Sequence, residues 1–215
     1  MSYKACLFDL DGVLVDTAIY HFKAWKMLGE NFNYQLTEEQ NEQLKGISRV
    51  ESLNRILAWA NFSATAEQKE TWLIEKNTIY LDLISNMNPN EILPGVIDFL
   101  VQIKAEGYKI ALGSASKNAE IILEKTNLLP WFDLIIDGNK VTKSKPDPEV
   151  FLKGAEGLGV SASECIVFED AQAGVEAAKA GGMKAIGIGE DTVLGRADKV
   201  IPNFVGIFSA DLLKF

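Results

Sequence analysis

Two aspartates stand two residues apart where an apolar run ends: Ala5-Cys6-Leu7-Phe8 gives way to Asp9-Leu10-Asp11-Gly12. If the extended backbone persists through them, both side chains leave the same face of the chain. Like charges held that close repel. The pair therefore invites a cation, a shared proton, or a reaction that uses one carboxylate as nucleophile and the other as acid or base. The same residues would also serve merely to close a strand and open a turn, because Asp-Gly is a common turn signal.

Three further groups of polar residues follow apolar runs. Gly113-Ser114-Ala115-Ser116-Lys117-Asn118 offers hydroxyls and free N–H groups where a helix begins, a place suited to an oxyanion or phosphoryl group; Ser116 would equally serve as a plain N-cap. In Lys143-Ser144-Lys145-Pro146-Asp147-Pro148, Asp147 and Pro148 read as a helix start. Lys145 stands either as a point charge for carboxylates and phosphate or as a solvated loop residue. Phe168-Glu169-Asp170 puts two more acids at a run's end, where they would also favour a helix N-terminus. Together with Asp9 and Asp11 they make an oxygen-only set suited to a hard cation, Mg2+ better than zinc.

The elements that must position these groups follow from periodicity. Lys109-Ile110-Ala111-Leu112-Gly113, Leu134-Ile135-Ile136, Cys165-Ile166-Val167-Phe168 and Lys184-Ala185-Ile186-Gly187-Ile188 join the first run as five expected strands with helices between most of them. That is the signature of an α/β protein, a doubly wound parallel-sheet, Rossmann-like core whose ligands gather at the strands' carboxyl ends. From about residue 17 to 87 the pattern is helical instead. Thr37-x-x-Gln40, Ser48-x-x-Glu51 and Thr65-x-x-Gln68 have the capping-box form, and Val50, Leu53, Leu57 and Ala60 fall on one helical face. The expectation is a small helical domain, 17–87, inserted after strand one into a core of 1–16 and 88–215.

Composition narrows the partners. Of 215 residues, 47% are hydrophobic and 24% charged, as in a globular domain with a substantial core. A net charge of -9, from 21 basic and 30 acidic residues without a basic run, argues against a nucleic-acid partner. Cys6 and Cys165 lie in expected strands and read as core thiols. No basic segment leading an apolar one opens the sequence, and no apolar run is long enough to cross a bilayer. The expectation is a cytoplasmic protein with no membrane partner.

Asp9-x-Asp11-Gly12, Ser114, Lys145-Pro146 and Glu169-Asp170 resemble, in order and spacing, the four motifs of the haloacid dehalogenase-like superfamily, over essentially the whole chain. The resemblance implies that Asp9 becomes an aspartyl-phosphate and that Asp11 is the general acid and base. It implies that Lys145 and Ser114 hold the transferring phosphoryl group. It also implies that Asp9, Asp170 and the Asp11 carbonyl oxygen hold Mg2+, with Glu169 ligating or orienting that ion. The helical insertion resembles the cap domain of many members.

Thr17, His21, Trp25, the run Asn41-Glu42-Gln43-Leu44-Lys45-Gly46, Ser48-Arg49 and Ser114 to Asn118 are similar, more narrowly, to the β-phosphoglucomutase subfamily. This implies interconversion of β-D-glucose 1-phosphate and glucose 6-phosphate through β-glucose 1,6-bisphosphate, with a sugar phosphate as partner; a monomer is the separate expectation. Trp25, Lys45, Gly46, Ser48, Arg49, Ala115, Ser116, Lys117 and Asn118 would bind substrate, and Thr17 and His21 would join the catalytic set. By its own residues, Arg49 at a helix start opposes the helix dipole, which favours an anion there over a functionless basic terminus. His21, on a face with Trp25 and Leu28, reads as packed; the resemblance lifts it to orienting Asp11 or sensing substrate. A sugar-phosphate phosphatase and a non-catalytic phosphate binder are the other readings.

Overall fold

The structure, a computed structural model, describes residues 3–215. Strand β1 (Ala5–Phe8) is followed by helices α1 (Ala18–Gly29), α2 (Glu38–Glu42), α3 (Arg49–Trp59) and α4 (Ala66–Leu83). Then come α5 (Val96–Ala105), β2 (Lys109–Gly113), α6 (Ala119–Lys125), β3 (Leu134–Ile136) and α7 (Glu149–Leu158). The chain ends with β4 (Cys165–Glu169), α8 (Gln172–Ala180), β5 (Lys184–Ile188), α9 (Asp191–Leu194), β6 (Lys199–Ile201) and α10 (Ser209–Leu212).

All six strands pair in parallel, in the order β3-β2-β1-β4-β5-β6. After β1 the chain builds outward to β3 on one side, then crosses to β4 and builds outward on the other. The crevice that this reversal opens lies at the carboxyl end of β1. Every β1 residue is buried, because helices cover both faces of a parallel sheet. Cys6, Phe8, Ile110, Leu112, Ile166 and Phe168 pack on one side, with the Phe8 and Phe168 rings stacked at 4.5 Å. Ala5, Leu7, Ala111, Cys165 and Val167 face the other. The two cysteines are free and buried on opposite faces, as core thiols.

Two expectations change in detail. A sixth strand, β6, closes the edge beyond β5. Ser48 caps α3 by accepting from the Glu51 N–H at 3.2 Å, but the Glu51 carboxylate turns to Arg55 instead of reaching back, so only the Thr37 and Thr65 boxes are complete. The buried face of α3 is Leu53, Ile56 and Leu57, whereas Val50 is exposed.

Helices α1 to α4 enclose a cluster of their own, in which Trp25, Leu28, Phe32, Leu53, Ile56 and Trp72 are buried. Ala24 midway along α1, Tyr80 near the end of α4 and Ile84 just past it join the cluster beneath the sheet. Two strips of chain link this layer to the core. Val15 pairs with Ile92 in an antiparallel bridge, and the Leu93 N–H donates to the Leu14 carbonyl at 2.9 Å.

Candidate active site

Strand register sets the site. Phe8 is level with Leu112 and Phe168, so Asp9, Gly113 and Glu169 leave the sheet together and Ser114 and Asp170 follow one residue on. The Asp9 N–H donates to the Phe168 carbonyl at 3.0 Å, which extends the pairing through the aspartate.

Lys145 reaches this point from the loop before α7. Its ammonium donates to Asp9 Oδ1 at 2.5 Å and to Glu169 Oε1 at 2.6 Å, lies 4.7 Å from the centre of the Phe151 ring, and is buried with both carboxylates. Burial alone would lower the Lys145 pKa. The Asp9 and Glu169 charges overcome that and hold it above the ordinary lysine range. The second Asp9 oxygen accepts the Asp11 N–H at 3.1 Å.

Glu169, like Asp9, is held at both oxygens, because its Oε2 accepts the Ala171 N–H at 2.9 Å. Two glycines make room for these acids. A Cβ on Gly12, whose φ is +76°, would lie 2.1 Å from Asp170 Oδ2, and one on Gly174 would lie 1.7 Å from Glu169 Oε1.

Oxygens of Asp9, Glu169 and Asp170 lie within 4.8 Å of one another. Burial first, then the Glu169 and Asp9 charges, push the Asp170 carboxyl well above the usual carboxylate range. An all-oxygen cluster this short of positive charge fits a hard metal ion. Asp9 and Glu169 each accept from Lys145 and from one main-chain N–H, so Asp170 is the one of the three whose oxygens accept no hydrogen bond among the described residues.

Asp11 stands between the sheet and the helical layer. The Thr17 hydroxyl donates to its Oδ1. Burial first, then Asp9, raise its pKa to about 7, so the group is poised to give and take a proton near neutrality.

His21 does not orient Asp11 directly among the described residues. Its Nδ1 faces Lys76 Nζ at 2.7 Å, and its ring stacks on Tyr80 at 4.1 Å. Sequence reading missed Lys76, which is buried and lies 4.8 Å from the Trp25 ring centre. Burial and Arg49 take its pKa well below the ordinary lysine range, although Asp11 draws it upward. A signal existed. Trp72, Lys76 and Tyr80 sit four apart on one buried stripe of α4, and a lysine in an apolar stripe needs a reason.

A cavity of about 520 Å3 lies between the two layers. Asp9, Asp11, His21, Trp25, Lys45, Gly46, Ser48, Arg49, Ser114, Ala115, Ser116, Lys117, Lys145 and Asp170 all line it, together with Lys76. Ser114 is buried, and its Oγ accepts the Ser116 N–H at 3.1 Å. Lys45 comes from the helical side to 3.9 Å from Asp170 Oδ2. The Arg49 and Lys117 side chains make no hydrogen bond or ion pair among the described residues. Thr17, Glu169 and Asn118 do not line the cavity, and of these Asn118 is the one expected to touch substrate. Its carboxamide donates to Asn77 Oδ1 of α4 at 2.9 Å and ties core to helices.

Residues 3–182 match the family model of the haloacid dehalogenase-like hydrolases. The chain belongs to the haloacid dehalogenase-like hydrolase family. Within that family it is 44% identical over 200 residues to the β-phosphoglucomutase of Bacillus subtilis, covering 92% of this chain and 88% of that one. The crystal structure of β-phosphoglucomutase from Clostridium difficile superposes with a TM-score of 0.95 at 40% identity, over 98% of this chain and 96% of the other. A phosphorylated carbohydrates phosphatase of Thermotoga maritima is 31% identical over 85% of this chain and 83% of its own. Like other haloacid dehalogenase-like folds, the chain is a parallel α/β sheet flanked by helices. No described helix is long and apolar enough to cross a membrane.

Proposed function

We propose that the chain is a β-phosphoglucomutase, which interconverts β-D-glucose 1-phosphate and glucose 6-phosphate through β-glucose 1,6-bisphosphate. The observation that carries this reading is one cavity lined by two groups of cations, which serve as its two poles. Lys145 and Ser114 stand beside Asp9, and the unpaired Arg49 and Lys117 line the same space. Hydrolysis of a monophosphate needs one pole. A bisphosphate that must reverse its orientation uses two, and an arginine fork beside a lysine suits the phosphate that is not reacting.

In this mechanism an Asp9 oxygen attacks phosphorus, the bond from phosphorus to the sugar oxygen breaks, and Asp11 gives its proton to that oxygen. On return, Asp11 takes the proton of the incoming sugar hydroxyl as it attacks the aspartyl-phosphate and frees the Asp9 carboxylate. Lys145 and the Ser114 hydroxyl hold the phosphoryl oxygens, and Thr17 keeps Asp11 aimed. Lys45, Gly46, Ser48, Trp25, Ala115 and Ser116 enclose the sugar, and His21 with Lys76 forms the polar wall behind it. Mg2+ is the proposed cofactor, held by Asp9, Asp170 and the Asp11 carbonyl oxygen while Glu169 fixes Lys145; bound, it neutralises charge on the transferring group. Residues 17–87 act as a cap on a core of 1–16 and 88–215, and closure excludes water so that a sugar hydroxyl is the acceptor.

The test is phosphorus NMR of the protein with β-glucose 1-phosphate, a trace of bisphosphate and Mg2+. Glucose 6-phosphate should accumulate with little inorganic phosphate. Stoichiometric inorganic phosphate would instead establish a sugar-phosphate phosphatase, the reading that the Thermotoga relative's name favours. Asp9→Asn should abolish both outcomes while circular dichroism stays unchanged; residual turnover in that variant would remove the covalent route.

A further inference from the structure

One polar side chain on the helical wall of the cavity has no partner among the groups described so far. Asn41, in α2, is 9% exposed and lines the cavity. Its main-chain N–H donates to the Thr37 carbonyl at 3.0 Å, but its carboxamide makes no hydrogen bond among the described residues. The neighbouring Gln40 is the opposite case. It donates to the Tyr34 hydroxyl at 2.6 Å and accepts the Thr37 N–H at 3.1 Å, and these bonds fix the short helix that presents Asn41. Apolar Trp25 and Leu44, both buried, line the same cavity.

The residue is buried but its carboxamide atoms stay accessible from the cavity, since the Tyr80 hydroxyl is the one fully enclosed side-chain polar atom without a partner among the described residues; a bound ligand can therefore supply the partner that the protein does not. The chemistry of the missing partner is narrow. The carboxamide offers two donors and an acceptor, which a hydroxyl matches because it both gives and takes. A phosphoryl group is already provided for by Lys145, Arg49 and Lys117. We infer that Asn41 reads a ring hydroxyl of the sugar and so sets which hexose phosphate the cavity accepts. This rests on the mutase reading and adds to it a residue that chooses the substrate. A site built to hydrogen-bond a hydroxyl rejects the analogue lacking it far more strongly than an apolar pocket rejects a change of size.

The experiment compares kcat/KM for β-glucose 1-phosphate and for its three monodeoxy analogues at the ring hydroxyls that do not react, in the wild type and in Asn41→Leu. The wild type should lose at least about tenfold on one analogue. Asn41→Leu should lose a similar factor on the parent sugar and nothing further on that same analogue, while Asn41→Asp, which keeps an acceptor, falls between. Equal losses on every analogue, or none, would overturn the assignment. If Asn41→Leu does not fold, Asn41→Asp carries the test: it should lose less on that one analogue than on the parent sugar, and an equal loss on both would overturn the assignment. A wild type that converts no β-glucose 1-phosphate overturns the mutase reading and this one with it, whereas turnover that Asn41→Leu leaves unchanged overturns this one only.

Discussion

Four carboxylates, those of Asp9, Asp11, Glu169 and Asp170, meet at the tip of β1, and Lys145 pairs with two of them. Burial and mutual repulsion raise Asp11 to about 7 and raise Asp170 and Glu169 as well. A carboxyl whose folded pKa is raised binds more protons folded than unfolded between its ordinary value and the raised one. Its contribution to stability is thus full below about pH 4 and is lost as pH rises toward 7. Metal-free protein should become easier to unfold in urea across that window. Millimolar Mg2+ should restore stability more at pH 8 than at pH 5, and Asp170→Asn should flatten the slope. A metal effect independent of pH would count against the cluster as its binding place. Removing the one cation is a harsher change. Lys145→Ala leaves Asp9 and Glu169 buried without a counter-charge and should cost about 3–5 kcal/mol of stability, read by thermal unfolding at pH 8 and smaller at pH 5, where Glu169 takes up a proton. The motif acids were readable because each pair closes an apolar strand at one edge, whereas Lys145 lies in the loop between β3 and α7 and was readable through the motif resemblance. Lys76 left a signal, its place in the buried stripe of α4, that was passed over, and the role of Asn41 left none, because spacing alone does not say what lies across from a helix face.

Both edge strands are fastened by the same device. Asp133, just before β3, accepts the Ile110 N–H of β2 at 2.8 Å, and Asp198, just before β6, accepts the Ala185 N–H of β5 at 2.9 Å. Each also donates its own N–H to the carbonyl of that same residue at 2.8 Å. Asp198 holds Lys179 and Lys184 at 2.7 Å in addition. Against partial burial, which raises its pKa, those lysine bonds bring its carboxyl down to about 2. Asp198→Ala should therefore cost about 1–3 kcal/mol in urea unfolding, mostly from the orphaned Ala185 N–H, and leave turnover unchanged because β6 lies at the sheet edge away from Asp9. Its contribution is present above about pH 4 and fades as pH falls toward 2. The five runs from β1 to β5 could be read as strands since their apolar residues are continuous. Lys199-Val200-Ile201 is three residues with a lysine at its head, and only the edge of β5 and the Asp198 fastening make it a strand. The incomplete cap at Ser48 has a similar cause, for Arg55 on the next turn competes for Glu51.

At the scale of the whole molecule, the helical layer meets the core beside the cavity and through Tyr80 and Ile84 beneath the sheet, and the sequence does not say how it is held there. Lys45 approaches Asp170 on one flank and Asn77 accepts from Asn118 on another, while the strips joined by Val15 and Ile92 form the base. The Asn77–Asn118 bond joins two groups outside the cavity lining, so it bears on closure without bearing on the reacting atoms. A neutral hydrogen bond between layers is worth about 1 kcal/mol net, which is roughly a fivefold shift between closed and open populations. Asn77→Ala should then raise KM for β-glucose 1-phosphate by about that factor, since substrate binding must supply the closure that the bond no longer provides. The substrate-free radius of gyration should grow in small-angle scattering, while kcat at saturation stays near the wild-type value because bound substrate still draws the layers together. A fall in kcat with KM unchanged would mean that Asn118 acts on the phosphoryl group after all, and that the amide pair is a consequence of closure and not one of its causes.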